Sequence, residues 1–143
     1  SQGKRLRRFD FADANDLQGL RELLASADVV IEGSRPRALR ALGLDRDSVM
    51  GGACSATSSQ LWLSLTAYGR PRPYGDWVGF GDDVAIAAGA YTLTNNKLPR
   101  FLGDAIADPV AGLMGALIVL HLRHWRVCGL VDLSTTLDAS TVT

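Results

Sequence analysis

Asp108 is the residue of this 143-residue chain best placed for chemistry. It stands at the mouth of the longest apolar segment, within residues 101–124, FLGDAIADPVAGLMGALIVLHLRH. A carboxylate at that place can cap a helix and meet the positive end of its dipole. It can also be a nucleophile held at a helix entrance. Spacing alone does not separate the two. A second candidate site is the turn Glu32-Gly33-Ser34-Arg35-Pro36, which leads from a β-branched run into a helix. An anion at such a helix start is physically reasonable, although the turn lacks the GxGxxG spacing of a dinucleotide site. His121 and His124 lie more than three turns beyond Asp108 on the same helix, too far to share its chemistry at a 1.5 Å rise per residue, and read as structural. Cys54 and Cys128 are far apart with no metal-ligand spacing, so no metal is expected and a reduced, cytoplasmic chain is the default.

The elements that must position these groups follow from periodicity. From Val110 on, the positions Val110, Leu113, Met114, Leu117, Ile118 and His121 keep helical spacing. The opposite face is also apolar or small, which predicts a helix buried on every side. Its roughly 10–14 apolar residues are too few for a bilayer span. Pro109 suits the first turn and puts Asp108 at the N-cap. Upstream, alternation over residues 4–11 suggests a strand carrying Phe9 and Phe11. Asp13 or Asp16 can cap a helix whose Leu17, Leu20 and Leu24 share a face. Residues 28–31, DVVI, read as a buried parallel strand, and Ser34 as the N-cap of the helix that Pro36 opens. Residues 45–59 read as a loop with a short helical turn, 61–67 as a strand, 69–83 as a long loop, 84–90 as a helix, 92–99 as a loop and 127–133 as another short apolar run. Strands alternating with helices predict an α/β fold, a Rossmann-like parallel sheet with flanking helices.

Bulk composition narrows the function. Apolar residues are 47% and charged residues 21% of the chain, a globular balance with enough length for one core. Lys+Arg and Asp+Glu both total 15, so nothing at this level points to nucleic acid or an anionic membrane.

Three segments, in order, resemble the type III CoA-transferase family, which includes the alpha-methylacyl-CoA racemases. Residues 27–43, ADVVIEGSRPRALRALG, are similar to the family's A-D-V followed by two hydrophobic residues, E-N-F-R-P-G and a short helix ending in L-G. Residues 63–89, LSLTAYGRPRPYGDWVGFGDDVAIAAG, are similar to its hydrophobic strand, S-x-(S/T)-G-(F/Y)-G, G-P-Y and G-(F/H)-D. Residues 103–123, GDAIADPVAGLMGALIVLHLR, are similar to its D-x-x-x-G-L-x-A helix, and residues 129–134 to the G-x-x-V-D motif, hydrophobic residue and Ser that follow.

The resemblance implies that the Asp four residues before the motif glycine, here Asp108 before Gly112, is the nucleophile; Asp104 does not match. It implies transfer of CoA from an acyl-CoA to a carboxylic acid through an aspartyl anhydride and an aspartyl-CoA thioester. Burial of Asp108 in its helix is expected to make it reactive. The matching turn, Gly33, Ser34 and Arg35, is the implied CoA contact, with Ser34 in place of the family's aromatic and Arg37 in place of its glycine. CoA enters as substrate, with no resident cofactor and with an acyl-CoA and a carboxylic acid as partners. The racemase branch uses a His where this chain has Phe80, which carries no proton. Family members are much longer and form interlocked homodimers. The expectation is therefore one partial CoA-transferase large domain over residues 1–143, a piece of the family's chain. The alternative is a non-catalytic remnant α/β domain that binds CoA or a protein partner.

Overall fold

Parallel β-strands need crossovers, and here helices provide them. The computed structural model describes residues 3–51, 60–71 and 73–134. Its main sheet has three parallel strands: β1 (Val29–Glu32), β2 (Leu61–Thr66) and β5 (Gly129–Ser134), with β2 in the middle. Val29 pairs with Leu61, and Leu61 with Gly129, so all three run in step from one end. As the middle strand, β2 is covered on both faces. Leu61, Trp62, Leu63 and Ser64 are all buried, although the LWLSLT pattern alternates in polarity.

Helix α1 (Ala14–Ser26) starts at Asp13, whose carboxylate accepts from the N–H groups of Asn15 at 2.7 Å and Asp16 at 3.2 Å. The cap is therefore Asp13 and not Asp16. The other end of α1 is tied to the sheet by Gln60, whose Nε2 donates to the carbonyls of Leu24 and Ala27, both at 2.7 Å. Two short helices follow β1: α2 (Pro36–Ala41) and α3 (Arg46–Met50). Pro36 opens α2 as expected, but the residue at the N-cap is Arg35, not Ser34, and no side chain caps it. Residues 4–11 form no strand. Phe9 instead lies beneath the Arg7 guanidinium, 5.2 Å from ring centroid to Cζ. Two aromatic residues in alternation supply no edge for a strand to pair with.

A turn of 3₁₀ helix (Tyr74–Asp76) interrupts the loop after β2 and leads to α4 (Gly81–Ala87). The loop expected over residues 92–99 is a small antiparallel hairpin of β3 (Tyr91–Leu93) and β4 (Pro99–Phe101). Its turn is closed by Lys97 at φ 59°, a conformation that the Asn-Asn-Lys sequence hides from a glycine-based reading.

Helix α5 (Ala107–His124) lies across β2 and β5. The expectation that it is buried on every side is wrong. Ala111 and Gly115 are buried, and Ile118 and Leu122 are half-buried, so one stripe faces the sheet. A Cβ on Gly115 would stand 3.2 Å from Leu63 Cδ2, which shows how closely the helix backbone approaches the strands. Leu113, Leu117 and Leu120, at 64%, 54% and 70% exposure, face away. Cys128 is disulfide-bonded, contrary to the reduced pair expected, while Cys54 lies outside the described residues. No described helix is long and apolar enough to cross a membrane.

Candidate active site

Ligands of open parallel sheets bind beyond the carboxyl ends of the strands. Here that edge holds a cleft of about 430 Å³. One wall is the turn after β1, with Gly33, Ser34 and Arg35, and another is the start of α5, with Asp108 and Gly112. All four residues singled out from sequence thus face one space. His121 and His124 do not line it; each packs edge-on against Trp125, with centroids 6.4 and 5.3 Å apart.

Asp108 is the second residue of α5, and not its cap. The N-cap position is Ile106, which offers no side-chain acceptor. Asp108 therefore lies inside the first turn, where the positive end of the helix dipole favours a negative charge. Its own N–H donates to the Ala105 carbonyl at 3.0 Å. Ala105 has φ 46°, in the left-handed region that a residue with a Cβ rarely adopts. That conformation is held by Asp82, whose Oδ1 accepts from the Ala105 N–H at 2.6 Å. Gly81 closes the same junction: a Cβ there would meet the Ala105 carbonyl oxygen at 2.7 Å and Cα at 2.8 Å. The start of α4 thus fixes the entry to α5. Asp108 is solvent-exposed, which corrects the expectation that the helix buries it.

The turn that carries Arg35 is held by a polar network inside the sheet. Glu32 Oε2 accepts from the Ser34 N–H at 2.9 Å. Glu32 Oε1 accepts from the Ser64 hydroxyl and from Arg70 Nη1, the latter at 3.3 Å. Arg70 Nη1 also donates to Ser64 Oγ at 2.8 Å, and the Arg70 N–H to Asp132 Oδ2 at 2.7 Å. Asp132 Oδ1 accepts from Thr66 Oγ1 at 2.8 Å, and Thr66 in turn accepts from the Gly69 N–H at 3.1 Å. Among the described residues every buried side-chain nitrogen and oxygen has a partner, as burial requires. The network joins the ends of β1, β2 and β5 and anchors two walls of the cleft. Arg35 is exposed at its rim and forms no ion pair or side-chain hydrogen bond among the described residues.

The remaining wall is aromatic. Trp77 stacks edge-on against Tyr68 at 5.8 Å and Tyr74 at 5.1 Å, and Phe80 follows. Tyr68 Oη reaches Asp83 Oδ2 at 3.4 Å. Burial, and then the Asp83 carboxylate, hold the Tyr68 phenol above its ordinary range. Among the described residues no group of three or more His, Cys, Asp or Glu is arranged to hold a metal.

An acidic residue at a helix start, opposite a cationic turn in a parallel-sheet cleft, suits a ligand with a phosphate-bearing end and a reactive carbonyl. Residues 1–127 match the sequence pattern of CoA-transferase family III. The chain belongs to that family. Among its relatives, a probable fatty acyl-CoA transferase of Mycobacterium tuberculosis is 28% identical over 135 residues, 92% of this chain and 33% of that protein. The beta subunit of a succinyl-CoA–L-malate CoA-transferase of Chloroflexus aurantiacus is 34% identical over 114 residues, 76% of this chain and 27% of that one. In three dimensions, a CaiB/BaiF family protein of Brucella suis superposes with a TM-score of 0.80 at 27% identity, over 98% of this chain and 38% of that chain. The chain thus spans about a third of the length of the family III relatives it matches, and its α/β fold is shared with part of theirs.

Asp108, Gly33, Ser34 and Arg35, singled out from sequence, line one cleft, whereas the polar network behind them is not legible there. Glu32, Ser64, Thr66 and Asp132 are polar positions within apolar strands, each near the carboxyl end. A polar residue at such a place in an apolar strand is the available signal.

Proposed function

We propose that this chain carries the nucleophile and part of the CoA site of an enzyme that moves CoA from an acyl-CoA to a carboxylic acid, and that residues 1–143 are part of that enzyme's large domain. The observation that supports this most is that Asp108 and Arg35 face one cleft. A free guanidinium at the rim suits the phosphate or adenine end of CoA. Asp108 lies where an acyl carbonyl can be attacked. Its carboxylate adds to the thioester carbonyl, the C–S bond breaks, and CoA leaves as thiolate with an aspartyl–acyl anhydride formed. The thiolate then attacks the aspartyl carbonyl and releases the acid, leaving an aspartyl-CoA thioester. A second carboxylate reverses the two steps and departs as the new acyl-CoA. The Asp108 N–H is already bonded to Ala105 and Pro109 has none, so what the start of α5 supplies to the oxyanions is the positive end of its dipole. Phe80, at the racemase His position, lines the same cleft and has no proton to exchange, which favours transfer over racemisation.

The exposure of Asp108 favours a second reading, a CoA-binding α/β unit without turnover, because a hydrated carboxylate is a weak nucleophile. Incubation with butyryl-CoA and isotope-labelled butyrate separates them. The transferase reading expects label to enter butyryl-CoA with the natural chain and with Asp104→Asn, and not with Asp108→Asn. Binding of CoA with no exchange in any of them supports the second reading.

A further inference from the structure

We infer that the cleft selects an apolar acyl group and discriminates against a dicarboxylic one, with Phe80 as the side chain that makes the distinction; this rests on the CoA-transferase reading above. The aromatic wall has two ends. Near the CoA turn, the 3₁₀ turn is tied to α2 by the Arg37–Asp76 ion pair at 3.7 Å, so Tyr74 and Trp77 stand beside the Arg35 side of the cleft. At the other end, Gly81 is pressed against Ala105, whose carbonyl accepts from the Asp108 N–H at 3.0 Å. Phe80 therefore stands at the Asp108 end.

A thioester that enters with its phosphates at Arg35 and its carbonyl at Asp108 carries its acyl chain past the carbonyl. The side chains there are Phe80, Val84 and Ala111, all apolar. Phe80 is 74% exposed, so its ring is open to a ligand and not committed to the core. Among the described residues lining the cleft, Arg35 is the one cation, at the far end, and Asp108 the one anion. Among the described residues, a second carboxylate on the acyl group would therefore lie against an aromatic ring and beside a like charge, with no cation at that end of the cleft to meet it.

Calorimetry on the full 143-residue chain tests this with CoA, acetyl-CoA, butyryl-CoA and succinyl-CoA. Each buried methylene strengthens binding about fourfold, so butyryl-CoA, with two more, is expected to bind roughly 16-fold tighter than acetyl-CoA, and succinyl-CoA no tighter than acetyl-CoA. Phe80→Arg should abolish the butyryl advantage and favour succinyl-CoA, while Phe80→Leu should keep the natural order. Neither substitution touches the Phe80 N–H, which donates to Asp83 Oδ1 at 2.6 Å, and the exposed ring leaves the core unchanged. Succinyl-CoA binding at least as tightly as butyryl-CoA overturns the inference and leaves the CoA reading standing. So does an order unchanged by Phe80→Arg. Failure of CoA and of every thioester to bind overturns the CoA reading and the inference with it.

Discussion

Arg70 Nη1 stands 3.3 Å from Glu32 Oε1, and this ion pair joins the end of the first strand to the loop after the second. The side chains are only 9% and 21% exposed, Glu32 being the more buried. Its other carboxylate oxygen accepts the Ser34 N–H. One buried carboxylate thus ties the end of β1 to β2, to the loop after it and to the turn that carries Arg35.

Removing one partner of such a pair leaves a charge without its counterion. Arg70→Met should destabilise the chain by roughly 1–3 kcal/mol in chemical denaturation. The double variant Glu32→Gln with Arg70→Met should lose less than the sum of the two single changes, because no buried charge remains. Strict additivity would show that the pair carries no coupling.

The junction between α4 and α5 is predicted to be intolerant of a methyl group. In Gly81→Ala the new Cβ would press on the Ala105 backbone at 2.7–2.8 Å, next to the turn that places Asp108. A loss of roughly 1–3 kcal/mol is expected, as for other overpacked sites. Gly33→Ala, where a Cβ meets open space, is the control and should be near neutral. Equal melting temperatures for the two variants would contradict the close approach.

Much of this arrangement is legible in the sequence because local rules and tertiary context agree there. The DVVI run as a parallel strand, Pro36 in the first turn of α2, the Asp13 cap and the short helix after Asp45 all follow from residue type and neighbours, although DVVI is an edge strand with Ile31 exposed and not the buried strand expected. Helix α5 was legible as a helix, but its environment was not. A segment apolar all round predicts cover on all sides, whereas the sheet here covers only the Ala111–Gly115–Ile118–Leu122 stripe. Asp108 looked like a cap because Pro109 follows it. The helix begins two residues earlier than that logic allows, at Ala107 and not Pro109, because Asp82 and Gly81 fix Ala105 from a distant segment. Pairings such as Arg70 with Asp132, 62 positions apart, leave no trace in local pattern.

Tyr68 gives a pH signature. Its phenol is raised first by burial and then by the Asp83 carboxylate. The folded chain therefore holds this proton to higher pH than the unfolded one. The stabilisation is complete below the ordinary phenol range of about 10 and falls as pH rises through it. Tyr68→Phe should remove that alkaline loss of stability, and Asp83→Asn should reduce it. Denaturation midpoints measured across alkaline pH check this. A natural chain and a Tyr68→Phe variant with parallel profiles would contradict it.

The most direct test of the central claim is the intact mass of the chain after rapid quenching with butyryl-CoA, followed by mapping of the modified peptide. The account predicts an adduct of CoA or of the butyryl group on the peptide that contains Asp108, present with Asp104→Asn and absent with Asp108→Asn. An adduct that persists in Asp108→Asn, or a chain that binds CoA and forms none, would contradict the assignment of Asp108 as the nucleophile.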